Sequence, residues 1–177
     1  TGAFAGILNG GTSVTPYGLV ELRLQGDDTP VMGQEGGMGE RVISEKAARE
    51  LVYMMAEVVN NGTGKRAALP GRPVAGKTGT TNDQRDAWFN GFNQHLVANT
   101  WVGFDDNGKL GRGEVGGRAA LPAWMEFMRE ALKDVPDDEP EMPEDIVMLR
   151  IDPRTGLLAD AATEDAIFEV FRAGDAP

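Results

Sequence analysis

The chain has 177 residues, 41% of them hydrophobic, and a formal net charge of −11, which suits one globular domain or a piece of a larger one. The acidity argues against nucleic acid as a partner and against docking on an anionic lipid surface, because both need clustered Lys and Arg. With no cysteine there are no disulfides and no thiolate metal sites, and no apolar run approaches the roughly 18 residues that cross a bilayer.

Phe4 to Leu8 reads as the last turn of a helix closed at Asn9-Gly10-Gly11. Val14 to Leu24 reads as a strand region with Pro16 near its start, and Gln25 to Gly39, rich in Gly, Asp and Pro, as a loop. Ser44 to Asn60 is the clearest helix, with Ser44 as its cap and Ala47, Leu51, Met54, Met55 and Val58 as its apolar stripe. Glu45 with Arg49, and Lys46 with Glu50, pair one turn apart, and Gly62 supplies a left-handed stop. Lys65 to Arg72 is a basic connector. Val74–Thr81, Asp86–Phe92 and Leu96–Phe104 read as strands joined by short turns, hence an antiparallel meander, since a parallel return needs a dozen or more residues. Asp105 to Gly117 is a Gly-rich loop. Leu121 to Leu132 is a second helix, with Pro122 in its first turn and Trp124, Phe127, Met128 and Ala131 as its stripe. Composition then shifts: Asp134 to Asp145 holds seven acidic residues and three prolines and reads as a solvated linker. Ile146 to Ile151 is a strand that turns at Asp152–Gly156 into Leu157–Ala159. The expected organisation is thus 1–133, a linker over 134–145, and a terminal strand segment over 146–177.

The stretch that carries chemistry, Gly71 to Thr80, fits two signatures. As G-x-x-x-x-G-K-T, Gly71 to Thr78 is a phosphate loop, with Val97 to Asp105 as an acid-tipped companion strand. Its context argues against that reading. A phosphate loop opens a helix whose free amides hold the phosphates, whereas Thr78-Gly79-Thr80-Thr81-Asn82 is poor helix sequence. As Lys-Thr-Gly on a strand, alternation puts Thr78 and Thr80 on one side and Lys77 and Gly79 on the other. Two hydroxyls can then grip a carboxylate, Gly79 admits an extended peptide to the strand edge, the Thr80 N–H can face a developing oxyanion, and Lys77 brings positive charge. A third reading makes the same edge a non-catalytic peptide-binding module.

Ala75-Gly76-Lys77-Thr78-Gly79-Thr80-Thr81-Asn82-Asp83-Gln84-Arg85-Asp86-Ala87-Trp88-Phe89-Asn90-Gly91-Phe92 resembles the signature of class A penicillin-binding proteins, the bifunctional peptidoglycan synthases. So do Phe4-Ala5 with Asn9-Gly10-Gly11 and Pro16-Tyr17, the Asn61-Gly62-Thr63-Gly64 turn, Val102-Gly103-Phe104-Asp105, Ala119 to Trp124, and the closing Glu169, Phe171, Gly174 and Pro177. The resemblance implies an α+β fold, an antiparallel sheet flanked by helices, here a partial penicillin-binding transpeptidase (serine β-lactamase-like) fold. It implies a serine in S-x-x-K that attacks D-Ala-D-Ala stem peptides of peptidoglycan, β-lactams as inhibitors, no cofactor and no metal. Thr78, Gly79 and Thr80 become substrate-binding residues, and Lys77 and the Thr80 amide catalytic ones. The implied location is the periplasmic face of a bacterial inner membrane.

The chain has two serines, Ser13 and Ser44, and neither begins S-x-x-K; no Ser-x-Asn occurs either. The nucleophile, its lysine and the anchor are therefore expected upstream, in an N-terminal remainder that would be the chain's partner. The chain alone is expected to be inactive, and its Thr-Gly-Ala-Phe opening without Met reads as an excised piece. Among other polar residues, His95 reads as a surface turn residue, Asp105-Asp106 as a turn, and Asp86 with Arg85 as a structural pair. Trp88, Phe89 and Trp101 read as core or cleft wall.

Overall fold

A computed structural model describes residues 1–136 and 145–177, so most of the expected acidic linker lies outside the described residues. The chain divides into two compact units, residues 1–140 and 141–177.

The first unit is organised on a three-stranded antiparallel sheet in the order β5 (Ala75–Thr80), β6 (Asp86–Phe92), β7 (Val97–Gly103). Its register runs without slip, from Ala75 opposite Phe92 to Thr80 opposite Ala87, and from Asp86 opposite Gly103 to Phe92 opposite Val97. The short turns impose this meander, and Asn93 fixes the second one by accepting from the amides of His95 and Leu96 at 3.1 and 2.9 Å. Lys77 lies within β5, and no helix begins there. That geometry removes the phosphate-loop reading.

Helices α1 (Gly2–Leu8) and α2 (Glu45–Asn60) and helix α4 (Leu121–Ala131) contribute to two separate apolar clusters on the sheet. In one, Met55 of α2 packs with Ala75 and Phe92, with Phe4 and Leu8 of α1 against them. In the other, Trp124 of α4 is fully buried, donates its indole N–H to the carbonyl of Ala98 at 3.0 Å, and meets Phe89 edge-to-face at 4.8 Å. Gly91 makes room for this ring: a Cβ there would lie 2.7 Å from Trp124 and 2.8 Å from Phe89.

Both helices form where expected, with Met55, Trp124 and Met128 of the expected stripes buried but the buried face shifted around the helix. In α2 the buried positions are Ala48, Met55 and Val59; Ala47 is exposed, and Met54 is 65% exposed against 6% for Met55. In α4 they are Leu121, Trp124 and Met128, followed by Leu132, while Phe127 is 54% exposed and Ala131 is exposed. Adjacent stripes of equal hydrophobicity leave the phase to be set by tertiary contact. Ser44 caps α2 by accepting from the Ala47 amide at 3.2 Å, and Arg49 pairs with Glu45. Gly62 is not in a left-handed conformation. Glycine is needed there because a Cβ would stand 2.9 Å from the Val58 backbone.

The segment before α2 departs most from the sequence reading. The expected strand over Val14–Leu24 is broken into β1 (Thr12–Thr15) and β2 (Glu21–Arg23), and the expected loop over Gln25–Gly39 contains β3 (Pro30–Gly33) and the start of β4 (Gly37–Arg41). β2 pairs with β3 and β1 with β4, forming a two-tier antiparallel ribbon. β2, β3 and β4 are exposed along their whole length. With no buried side, no alternation is imposed on the residues, and the period-two signal is absent. The Gly-rich loop after β7 also ends sooner than expected, in a helical turn, α3 (Gly116–Ala119).

The second unit is a hairpin of β8 (Ile146–Ile151) and β9 (Ile167–Arg172), fully in register. β8 has the expected bounds; β9 was not anticipated, and Leu157–Ala159 contributes only an isolated bridge from Leu158 to Ile151. Arg150 fastens the connection by donating to the carbonyls of Asp160 and Thr163, both at 2.8 Å.

Candidate active site

The candidate site residues lie on β5, which among the described residues has one neighbour, β6, and one unpaired edge. Which amides face that edge follows from one contact: the Thr81 N–H donates to the Asp86 carbonyl on the β6 side at 3.1 Å. Backbone groups alternate along a strand, so the N–H and C=O of Thr80 and Thr78 face away from β6. The turn is held by side chains. Thr81 Oγ1 accepts from the Asp86 amide at 2.8 Å and donates to Asp86 Oδ2 at 3.2 Å, and Trp101 Nε1 donates to Asp86 Oδ1 at 2.9 Å. The expected Asp86–Arg85 pair is replaced by these contacts; Arg85 instead reaches Asp83 and the carbonyl of Asn107.

The side chains divide as alternation requires. Thr78 and Thr80 are on the face that carries α3: Thr80 Oγ1 accepts from the Gly116 amide at 3.0 Å, and Thr78 Oγ1 stands 3.2 Å from Thr63 Oγ1. Gly79 is pinched, since a Cβ on it would meet Trp88 at 3.1 Å and a Cβ on Gly116 would be 2.5 Å from its carbonyl oxygen. Lys77 is exposed, and its ammonium donates to the outward-facing carbonyl of Thr78 at 2.9 Å. Lys77, Thr78 and Thr80 thus bring an ammonium, two hydroxyls and two outward amides to the unpaired strand edge. Trp88 and Trp101, partners across β6 and β7 with ring centroids 6.3 Å apart, are partly exposed, whereas Phe89 is core.

The loop after β7 is laced to the same turn. Gln84 accepts from Leu110 N at its carbonyl and from Gly113 N at its side chain, both at 2.8 Å. Asn107 turns with a positive φ of 58°, and Asp106 accepts from the Gly108 amide, so Asp105-Asp106 opens a turn as expected. Thr63 and Gly116 are the site neighbours that sequence reasoning passed over. Both lie in segments it read only as turn or loop, and nothing in the sequence links position 116 to position 80. Of the two serines, Ser44 is a helix cap and Ser13 sits in β1 against Gly39.

A family model described as the penicillin binding protein transpeptidase domain matches residues 1–109. The chain belongs to that family. It is 48% identical over 139 residues to penicillin-binding protein 1A of Pseudomonas aeruginosa, covering 78% of this chain and 17% of that protein. Against penicillin-binding protein 1A of Vibrio cholerae it is 43% identical over 163 residues, covering 77% and 20%. The chain therefore spans about a fifth of these curated relatives. Among solved structures, penicillin-binding protein 1A from Haemophilus influenzae superposes with a TM-score of 0.79 at 31% identity, covering 99% of this chain and 32% of that one. An imipenem acyl-enzyme complex of penicillin-binding protein A from Mycobacterium tuberculosis superposes with a TM-score of 0.58 at 25% identity, covering 74% and 30%. The helices and antiparallel strands described above are thus part of the α+β penicillin-binding transpeptidase fold.

Proposed function

We propose that the chain supplies the substrate-binding strand of a serine D,D-transpeptidase in a bifunctional peptidoglycan synthase. The observation that carries this is the open edge of β5, where the sequence Lys77-Thr78-Gly79-Thr80 turns the Thr80 and Thr78 amides outward beside an ammonium. A donor stem peptide lies along this edge with its terminal carboxylate on the Thr78 and Thr80 hydroxyls. The serine of an upstream S-x-x-K attacks the carbonyl between the two D-alanines, the oxygen takes negative charge, and the Thr80 N–H stabilises it as half of an oxyanion hole. Lys77 biases the electrostatics around the upstream Ser-x-Asn serine. The C–N bond then breaks, D-alanine leaves with a proton on its nitrogen, and an amine of a neighbouring stem resolves the acyl-enzyme into a cross-link. β-Lactams occupy the same edge and stop at the acyl stage.

In this reading residues 1–133 are the C-terminal part of the transpeptidase domain, 134–145 a linker and 146–177 a terminal strand segment. The protein works at the periplasmic face of the inner membrane, anchored through upstream sequence. No helix among the described residues is long and apolar enough to cross a membrane. The test is D-alanine release from a pentapeptide donor by the full-length protein, with and without Lys77→Met. Release that is lost in the variant supports the proposal; undiminished release by Lys77→Met would falsify it.

A further inference from the structure

The two threonine hydroxyls of β5 bind a carboxylate only if their protons point at it, and each is also an acceptor that could turn elsewhere. At Thr80 one contact limits that freedom, and at Thr78 a second hydroxyl stands within hydrogen-bond reach. The amide of Gly116 donates to Thr80 Oγ1 at 3.0 Å from a buried position. Gly116 stands where it does only as glycine: a Cβ would be 2.3 Å from the Trp88 carbonyl oxygen and 2.5 Å from that of Gly79. Behind Thr78 stands the hydroxyl of Thr63 at 3.2 Å. The two supporting segments are tied together, because Arg66 donates to the carbonyl of Gly117 at 3.3 Å and a Cβ on Gly117 would lie 3.5 Å from the Thr63 carbonyl oxygen.

We infer that Thr63 and the Gly116 amide are positioning groups that turn Thr78 and Thr80 into donors aimed at the ligand carboxylate, an inference that rests on the carboxylate role proposed above. A hydroxyl that accepts one hydrogen bond has its own proton free to donate outward. A chain from Thr63 O–H to Thr78 O–H to carboxylate also polarises each link, so the ligand's charge strengthens the bond behind it. Thr80 is served by a backbone donor that no side-chain change at position 116 can replace, whereas Thr78 depends on one exchangeable hydroxyl.

The experiment uses the full-length protein and a matched pair of ligands, a penicillin and its methyl ester, whose carboxyl carries no charge. The quantity read is the ratio of their acylation rate constants. Both ligands meet the same folded population, so partial unfolding leaves the ratio unmoved. Thr63→Val should lower the ratio about five- to tenfold, the scale of weakening one hydrogen bond to a charged group. Thr63→Ser should restore it, and Gly116→Ala should lower it as well. An unchanged ratio in Thr63→Val overturns the inference. Thr78→Val and Thr80→Val separate this from the underlying reading. If they lower the ratio while Thr63→Val does not, only the positioning role fails; if they too leave it unchanged, the carboxylate site itself fails, and the inference with it.

Discussion

Along β5 the division of labour follows from which atoms face the open edge. Thr80 contributes an N–H that any residue except proline would keep, while Lys77 contributes a charge that resides only in its side chain. Lys77→Met should therefore slow β-lactam acylation far more than Thr80→Ser, by about 30- to 1000-fold for losing a charge-assisted contact. Acylation rate constants measured for both variants in the full-length protein check the order; a larger effect from Thr80→Ser contradicts it. The sorting of Thr78 and Thr80 from Lys77 was legible in the sequence because side chains alternate along a strand. Thr63 and Gly116 were not legible, because contacts across 15 and 36 residues leave no trace in spacing. Asp86 misled for a related reason: its sequence neighbour Arg85 is an obvious partner, but the indole N–H of Trp101, on the adjacent strand β7, takes that place.

For the elements, short turns made the meander readable, and apolar periodicity made α2 and α4 readable but not their phase. Met128→Ala should destabilise the chain by about 2–5 kcal/mol, whereas Phe127→Ala should fall within about 0.5 kcal/mol, since only the first leaves a cavity. Urea unfolding of the two variants distinguishes the buried stripe; equal losses contradict it. The strands β2, β3 and β4 escaped because exposed strands carry no burial pattern, and β9 because, among the described residues, it pairs with β8 alone. In the β8–β9 connection, the Thr163 hydroxyl and then the Ala162 amide hold the Asp160 carboxyl below its ordinary value. A depressed folded-state value stabilises above the unfolded one and is lost as pH falls through the folded one. The Ala162 amide chemical shift should thus stay constant from neutral pH down to the ordinary carboxylate range and move only in stronger acid. A shift that moves between pH 7 and 5 would contradict this contact.

At the scale of the whole molecule, the chain presents a substrate edge without a nucleophile. Ser44 is occupied in capping α2, Ser13 lies half-buried in β1, and neither is followed by a lysine three residues on. An activated serine needs such a base within reach. In the proposed function the acylated serine lies in sequence upstream of Thr1, and Lys77 to Thr80 complete its site. The most direct measurement is peptide mass spectrometry after penicillin treatment, on the 177-residue chain and on the full-length protein in parallel. The account predicts no adduct on the chain alone and, in the full-length protein, a single adduct on the serine of an upstream S-x-x-K. A penicilloyl group on Ser13 or Ser44 in either sample would contradict it.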